Sequence, residues 1–295
     1  MCVTFCWSTE VIIFACIPNT VSPFATTSIT FLVGGLLLLM CFFPRIKKGL
    51  QQDGRKQLLR CLYLSALNGT FNTMFQFGLK YFDVTSGAFT LSLTVVLLPI
   101  LLLAQRDQVD KRTWLSACII LVGVCIAMLN VLTVEQLPGL GIIVAGCAIR
   151  GHYIIKLNQY AREHDPLVLA TLICLFGGVL FYLMWAIGQP TTFLAVPWSR
   201  TIIASLAIYS YFVIALTIPL NLFAQRRATP TESTIIYALE IALSVIWGSI
   251  LPADLVTPVS LTPTIVIGVL CVIAGNLIEL ADDLPLLGGK KEAKA

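Results

Sequence analysis

Apolar runs alternate with short polar breaks ten times along the chain, at roughly 2–17, 24–43, 59–80, 85–104, 113–130, 138–157, 167–187, 201–223, 231–251 and 262–281. Most approach the roughly 20 residues that an α-helix needs to cross a ~30 Å hydrocarbon core. None has the period-2 alternation of a barrel strand, so helices are the remaining way to satisfy the backbone in lipid. The pattern predicts an all-α integral membrane protein with ten transmembrane helices.

Three charges break this pattern far from any loop. Glu10 lies near the middle of 2–17, Arg150 of 138–157 and Glu240 of 231–251. A charge at the bilayer centre costs about 2.5–3.5 kcal/mol on insertion scales, so each must serve a partner, a cavity or a ligand. A polar stripe joins them: Asn68, Asn72 and Gln76 recur at i, i+4 and i+8 on one helix face. In lipid such a stripe must turn toward protein or water, either lining a cavity or bonding a neighbouring helix.

Composition agrees with the hydropathy pattern. Hydrophobic residues make up 58% and charged residues 12%, against about 25% charged in a soluble domain. The mean hydropathy is +0.90. The net charge of +4 is no nucleic-acid signal, because the basic residues fall between spans. The ten cysteines include no CxxC pair and sit mostly in apolar runs, as small hydrophobic packers do. The first segment has neither a basic leader nor an A-x-A-like cleavage site, so it reads as a span rather than a signal peptide.

Lys and Arg orient the spans. Sixteen of the 19 fall in, or at the helix ends of, connections 44–58, 105–112, 158–166 and 224–230 and the C-terminal tail. Lys80 and Arg200 fall on the opposite side, and Arg150 within the membrane. The positive-inside rule then places both termini in the cytoplasm, in the cytoplasmic membrane if the source is prokaryotic. The tail 282–295 is polar and predicted to be disordered.

The second half repeats the first. A shift of 143 residues brings Trp7 onto Arg150, Glu10 onto Tyr153, Pro23 onto Pro166 and Gly34-Gly35 onto Gly177-Gly178. A shift of 145 brings Gln76 onto Asn221 and Gly123-Val124 onto Gly268-Val269. Ten helices thus divide into two sets of five, 1–130 and 138–281. An odd number forces the sets to enter the membrane from opposite sides, giving an inverted repeat with a site expected at its midplane. Trp7 and Glu10, like Arg150 and Tyr153, are spaced i, i+3 and share a helix face.

These residues resemble the EamA-type ten-helix transporters of the drug/metabolite transporter superfamily. Trp7-Ser8-Thr9-Glu10 stands where the family has Trp-Gly-Ser-Asn. Ala88–Thr94, Trp114 and Ile120–Gly123 look like the signature of helices 4 and 5. Leu239-Glu240, Trp247-Gly248 and Ile267-Gly268 are similar to that of the second half. The chain departs from the family at Ser8, Glu10, Val95 and Ile241. It also lacks the Gly-Glu that usually ends helices 4 and 9, where Asp107 and Asp254 lie nearest. The resemblance implies ten helices and transport of small metabolites, with export as the expected direction.

The expected substrate site comprises Arg150, Glu10, Trp7, Tyr153, Asn72, Gln76, Asn221, Tyr237 and Glu240, with no metal, cofactor or catalytic residue. Arg150 offers a guanidinium fork to a carboxylate or phosphate, or else forms a structural pair with Glu10 or Glu240. Glu10 is a proton-coupling or cation-binding carboxylate, or the counter-ion of Arg150. Glu240 has a structural, gating or substrate-contact role. Tyr209 and Tyr211 point to different faces, so at most one should line a cavity; Trp247 and His152 read as packing or interface residues. The expected partners are a small-molecule substrate, the lipid bilayer and protons as coupling ion. The opposed charges favour an amino acid or related zwitterion. A phosphorylated or nucleotide-linked metabolite is the alternative, disfavoured by a single basic residue at depth. A membrane enzyme or scaffold is the alternative of another class, but there is no G-x-S-x-G, H-E-x-x-H or phosphate-cradling loop to support it.

Overall fold

The computed structural model describes residues 2–82, 84–129, 132–194, 196, 198–250 and 262–280. The tail 282–295 and Asp254 lie outside them. The described residues form helices α1 (Cys2–Ser8), α2 (Glu10–Ala15), α3 (Pro23–Leu79), α4 (Val84–Leu91), α5 (Leu93–Ala104), α6 (Lys111–Met128) and α7 (Leu137–Glu163). They continue with α8 (Pro166–Gly188), α9 (Pro190–Leu194), α10 (Arg200–Ile208), α11 (Thr217–Gln225), α12 (Pro230–Ile250) and α13 (Pro263–Leu280). A 3-10 turn, Val134–Gln136, precedes α7, and a π-helical stretch, Tyr209–Leu216, joins α10 to α11. Among the described residues, seven helical stretches are long and apolar enough to cross a membrane; Cys2–Ala15 and Pro263–Ile278 are shorter apolar helices. The fold is that of an all-α membrane protein.

Segments 24–43 and 59–80 are expected as two helices, yet helical backbone runs unbroken over the 57 residues of α3. Drawn straight, that helix would be about 85 Å long. It doubles back instead. Thr73 Oγ1 lies 3.2 Å from Thr27 Oγ1, and Phe24 packs edge-on against Phe77 at 5.7 Å. Both contacts pair residues centred within one residue of position 50, so α3 is two antiparallel limbs, and the expected connection 44–58 is itself helical. Asn68, Asn72 and Gln76 dilute the hydropathy of the second limb, which is why apolarity alone marks only Pro23–Gln51 as a span.

Helix starts follow from local sequence. Ser22 caps α3 by accepting from the Phe24 N–H, and Asp165 caps α8 by accepting from the Leu167 N–H at 2.9 Å. In each case proline occupies the first helical position, where its missing N–H costs nothing. The two caps are 143 residues apart, so the repeat extends to capping. Thr229 and Glu232 form a reciprocal capping box before α12. At the end of α5, Arg106 holds φ 65°, the left-handed conformation that suits glycine, and the Asp107 N–H closes back on the Leu102 carbonyl.

The repeat-related helices meet each other. Along α8 and the first limb of α3, Phe24 packs with Phe181, Gly35 against Cys174 and Gly49 against Val168, so the two run antiparallel. A Cβ on Gly35 would lie 3.0 Å from the Leu175 side chain, and one on Gly178 2.6 Å from that of Leu32. Leu32 and Leu175 are themselves 143 apart, so the contact is reciprocal, as a two-fold relation requires. Helices α6 and α13 behave alike: a Cβ on Gly123 would lie 2.9 Å from the Gly268 carbonyl oxygen, and one on Gly268 2.9 Å from that of Gly123. Around these crossings the core is apolar, with Val168, Leu169, Ala170, Ile173 and Cys174 fully buried. The outer faces carry exposed apolar side chains such as Met40, Val122, Leu183 and Ile187, as lipid contact requires.

Because Leu32 backbone as well as side chain faces Gly178, alanine there has little room to be accommodated. Gly178→Ala should lower stability by about 1–3 kcal/mol. Gly141, which has nothing within 4 Å, is the control: Gly141→Ala should be neutral or slightly stabilising. Thermal unfolding of both variants in one detergent checks the contrast.

Candidate functional site

The expected charges converge. Seven of the nine predicted site residues, Trp7, Glu10, Asn72, Arg150, Tyr153, Asn221 and Tyr237, line one internal cavity of about 50 Å³. Since a water needs about 10–15 Å³ of such volume, the cavity holds a few waters in this conformation. Glu240 borders an adjoining void of about 10 Å³ that it shares with Arg150 and Tyr237. Gln76 is elsewhere. It faces a larger opening of about 330 Å³ at the end of the molecule where Pro18, Val21 and Phe82 lie.

Irregular backbone surrounds the cavity. At Thr9, immediately before Glu10, and at Ser92, which borders the smaller void, the helix tightens for one turn: both residues keep right-handed helical dihedrals, and their N–H groups donate three residues back, to the Cys6 and Phe89 carbonyls. The π-helical stretch supplies Tyr209, Val213 and Ile214 to the wall. Short 3-10 and π-helical departures inside a helix of this kind are often found beside functional sites.

Arg150 is held loosely. Its nearest carboxylate oxygen, Glu240 Oε2, is 3.6 Å from Nη2, and among the described residues it forms no hydrogen bond within 3.5 Å. Its guanidinium instead lies 5.0 Å from the centroid of Phe71 and 5.6 Å from that of Trp7, within cation–π range. A guanidinium carries five N–H donors, so most remain available to a ligand. Glu240 Oε1 is buried without a hydrogen-bond partner among the described residues. Glu10 pairs differently: Tyr209 donates to its Oε1 at 2.7 Å and also lies 3.3 Å from Asn72 Oδ1. Trp7 is fixed by its indole N–H bond to Thr217 Oγ1 and an edge-on contact with Tyr237. Arg150 therefore sits between two carboxylates, nearer Glu240, and forms no ion pair with Glu10 within 4.0 Å.

The remaining expectations divide. Asn68 joins Asn72 in the cavity wall, whereas Gln76 donates to Thr27 Oγ1 at 3.1 Å, so the stripe both lines cavities and bonds between helices. Tyr209 faces the cavity and Tyr211 is 55% exposed. His152 meets Tyr63 outside the cavity, and Trp247 bonds Ser8 Oγ behind it.

Two barriers flank the cavity. Toward the larger opening, Phe14 of its wall packs on Tyr209 with centroids 4.9 Å apart. Toward the opposite end, Asn158 Nδ2 lies within 2.9 Å of three oxygens: Gln225 Oε1 and the backbone carbonyls of Gln225 and Ala228. Gln225 donates to Tyr237, and Tyr237 donates to Asn221. Arg226 donates to the carbonyls of Ala161 and His164. This seal escaped the sequence reading, though its signal was present: Asn158 continues the Arg150 face at i+8, and Gln225 lies four residues beyond Asn221.

A helical membrane protein with locally distorted spans around a charged central cavity is the class that this geometry defines. Residues 1–129 match the EamA-like transporter family. An uncharacterized transporter from Archaeoglobus fulgidus is 25% identical over 246 residues, covering 82% of this chain and 73% of that protein. A solved structure described as "Crystal structure of protein" shares the fold with a TM-score of 0.72 at 16% identity, covering 95% of this chain and 94% of that one. Over its first 129 residues the chain is thus similar to EamA-like transporters, and together with the transporter relative this supports a membrane transporter.

Asn158→Ala removes the centre of the seal. Amide hydrogen exchange across 221–228 should accelerate about tenfold in reconstituted protein, the loss expected for one or two buried hydrogen bonds. Gln159→Ala, at an exposed neighbour bonded to Lys156, should leave that exchange unchanged.

Proposed function

We propose that the protein is a secondary transporter of a small polar organic metabolite, an amino acid or related zwitterion, working by alternating access. Two five-helix halves, 1–130 and 138–281, rock about the central cavity, with both termini and the tail 282–295 on the cytoplasmic side. Export is the direction favoured by family analogy.

The observation that carries this reading is the state of Arg150. A buried guanidinium with most of its donors unspent, beside a cavity and between two aromatic faces, suits a carboxylate ligand. Glu10 and Glu240 bring two negative charges against one positive charge. The excess is neutralised by a proton or by the ammonium of the substrate itself, and Glu10, bound to Tyr209 rather than to Arg150, is the group placed to take either. The present conformation has the Asn158–Gln225 seal made and the larger opening formed at the other end. On the positive-inside orientation this is an outward-facing state with its central site contracted.

The test is uptake and counterflow in proteoliposomes with an amino-acid and metabolite panel, with and without a pH gradient. Wild-type protein should carry at least one zwitterion. Arg150→Ala should reduce that flux to the level of empty liposomes, and Glu10→Gln should abolish its response to the pH gradient, with both variants folded. Wild-type flux in Arg150→Ala would remove the guanidinium from the mechanism.

A further inference from the structure

Resting on that reading, we propose that the outer opening is a second binding site, in which Lys80 holds the carboxylate of the zwitterion before or after its stay at Arg150. The central cavity has space for a few waters. The opening, at about 330 Å³, falls in the range of small-ligand pockets. In this conformation it is where a substrate arriving at or leaving the outer side finds room.

Its chemistry is asymmetric. Among the described residues that line it, Lys80 alone is charged, and Phe14 and Phe82 are among its apolar walls. The Lys80 ammonium donates to the Asn19 carbonyl at 2.9 Å and lies 5.6 Å from the Phe77 centroid. One of its three protons is thereby used and two remain for an anion. Gln76 lines the same opening. Its amide nitrogen is committed to Thr27, and its carbonyl oxygen takes no hydrogen bond among the described residues, so it can accept from an ammonium. Carboxylate at Lys80, ammonium at Gln76 and side chain against the phenylalanines accommodate an apolar amino acid.

The opening and the central site are stations on one helix face. Asn68, Asn72, Gln76 and Lys80 recur every four residues along the second limb of α3; the first two line the cavity and the last two the opening. Each step is about 6 Å of helix rise. The Phe14–Tyr209 contact closes the passage between them, and Tyr209 is bonded to the same Glu10 that faces the central cavity. Two sites separated by an aromatic barrier hold a substrate in sequence and not at once in a single continuous chamber.

The experiment separates the stations. Leucine binding is measured by scintillation proximity on Arg150→Ala, in which the central guanidinium is gone, with 4-methylpentanoate and isoamylamine as competitors. Saturable millimolar binding is expected, displaced by the carboxylate analogue more effectively than by the amine. In that background Lys80→Gln should weaken binding at least tenfold and Lys80→Arg should largely preserve it. In otherwise wild-type protein, Lys80→Gln should raise the half-saturating outer concentration for leucine counterflow severalfold with little change in maximal flux. Absence of saturable binding to Arg150→Ala, or binding indifferent to Lys80→Gln, overturns the second site even where wild-type flux is intact. Lysine-dependent binding without any wild-type zwitterion flux keeps the site and overturns the transport reading.

Discussion

Two carboxylates and one guanidinium buried within a few side chains of each other set the terms for this fold. Desolvating each ion costs several kcal/mol even after relaxation, and one pair cannot neutralise three charges. The structure distributes the burden. Phe71 and Trp7 face the guanidinium, Tyr209 bonds Glu10 and reaches Asn72, and Glu240 stays closest to Arg150 without a tight bond. Stability alone would be better served by apolar residues in all three positions. Retaining the charges, loosely satisfied and beside a cavity, is intelligible for a site that exchanges its partners.

The barriers use different physics. The one beside the larger opening is an aromatic contact between Phe14 and Tyr209, which a rotamer change can open. The one at the opposite end is a hydrogen-bonded lattice around Asn158 and Gln225, cooperative because each member orients the next. Tyr237 belongs to both lattice and cavity wall, since it accepts from Gln225, donates to Asn221 and packs on Trp7. Any group that displaced the Tyr237 hydroxyl from Gln225 would therefore act on the seal directly. The π-helical stretch beside Tyr209 supplies the local irregularity in which such rearrangement is least costly.

Much of this was legible in the sequence because lipid makes polar residues conspicuous. Glu10, Arg150, Asn72 and Asn221 stood out against apolar runs, and the repeat placed Trp7 and Tyr153 beside them. Gln76 was assigned to the same site because it shares a face with Asn72, but one further helical turn carries it past the Phe14–Tyr209 barrier. Sequence spacing fixes a face and a depth, whereas a barrier is made by residues from other helices. The continuous helix through 44–58 was hidden for a similar reason: charge density there signals water contact, which a helical turn at the membrane surface satisfies as well as a loop. Asn158 and Gln225 lay near span ends, where polar residues attract no notice, and their importance comes from a pairing 67 residues apart.

The glycine crossing has a historical consequence. Gly35 meets Leu175 as Gly178 meets Leu32, on helices that run in opposite directions. That is the contact a five-helix ancestor would make with an upside-down copy of itself. In such a dimer every substitution at the crossing would be felt twice, so the surface could improve only by changes that suited both orientations. A single chain that carried both copies would be free of that restriction. One half could then hold an arginine where the other holds tryptophan, and a symmetric shell could enclose a site with two unlike ends.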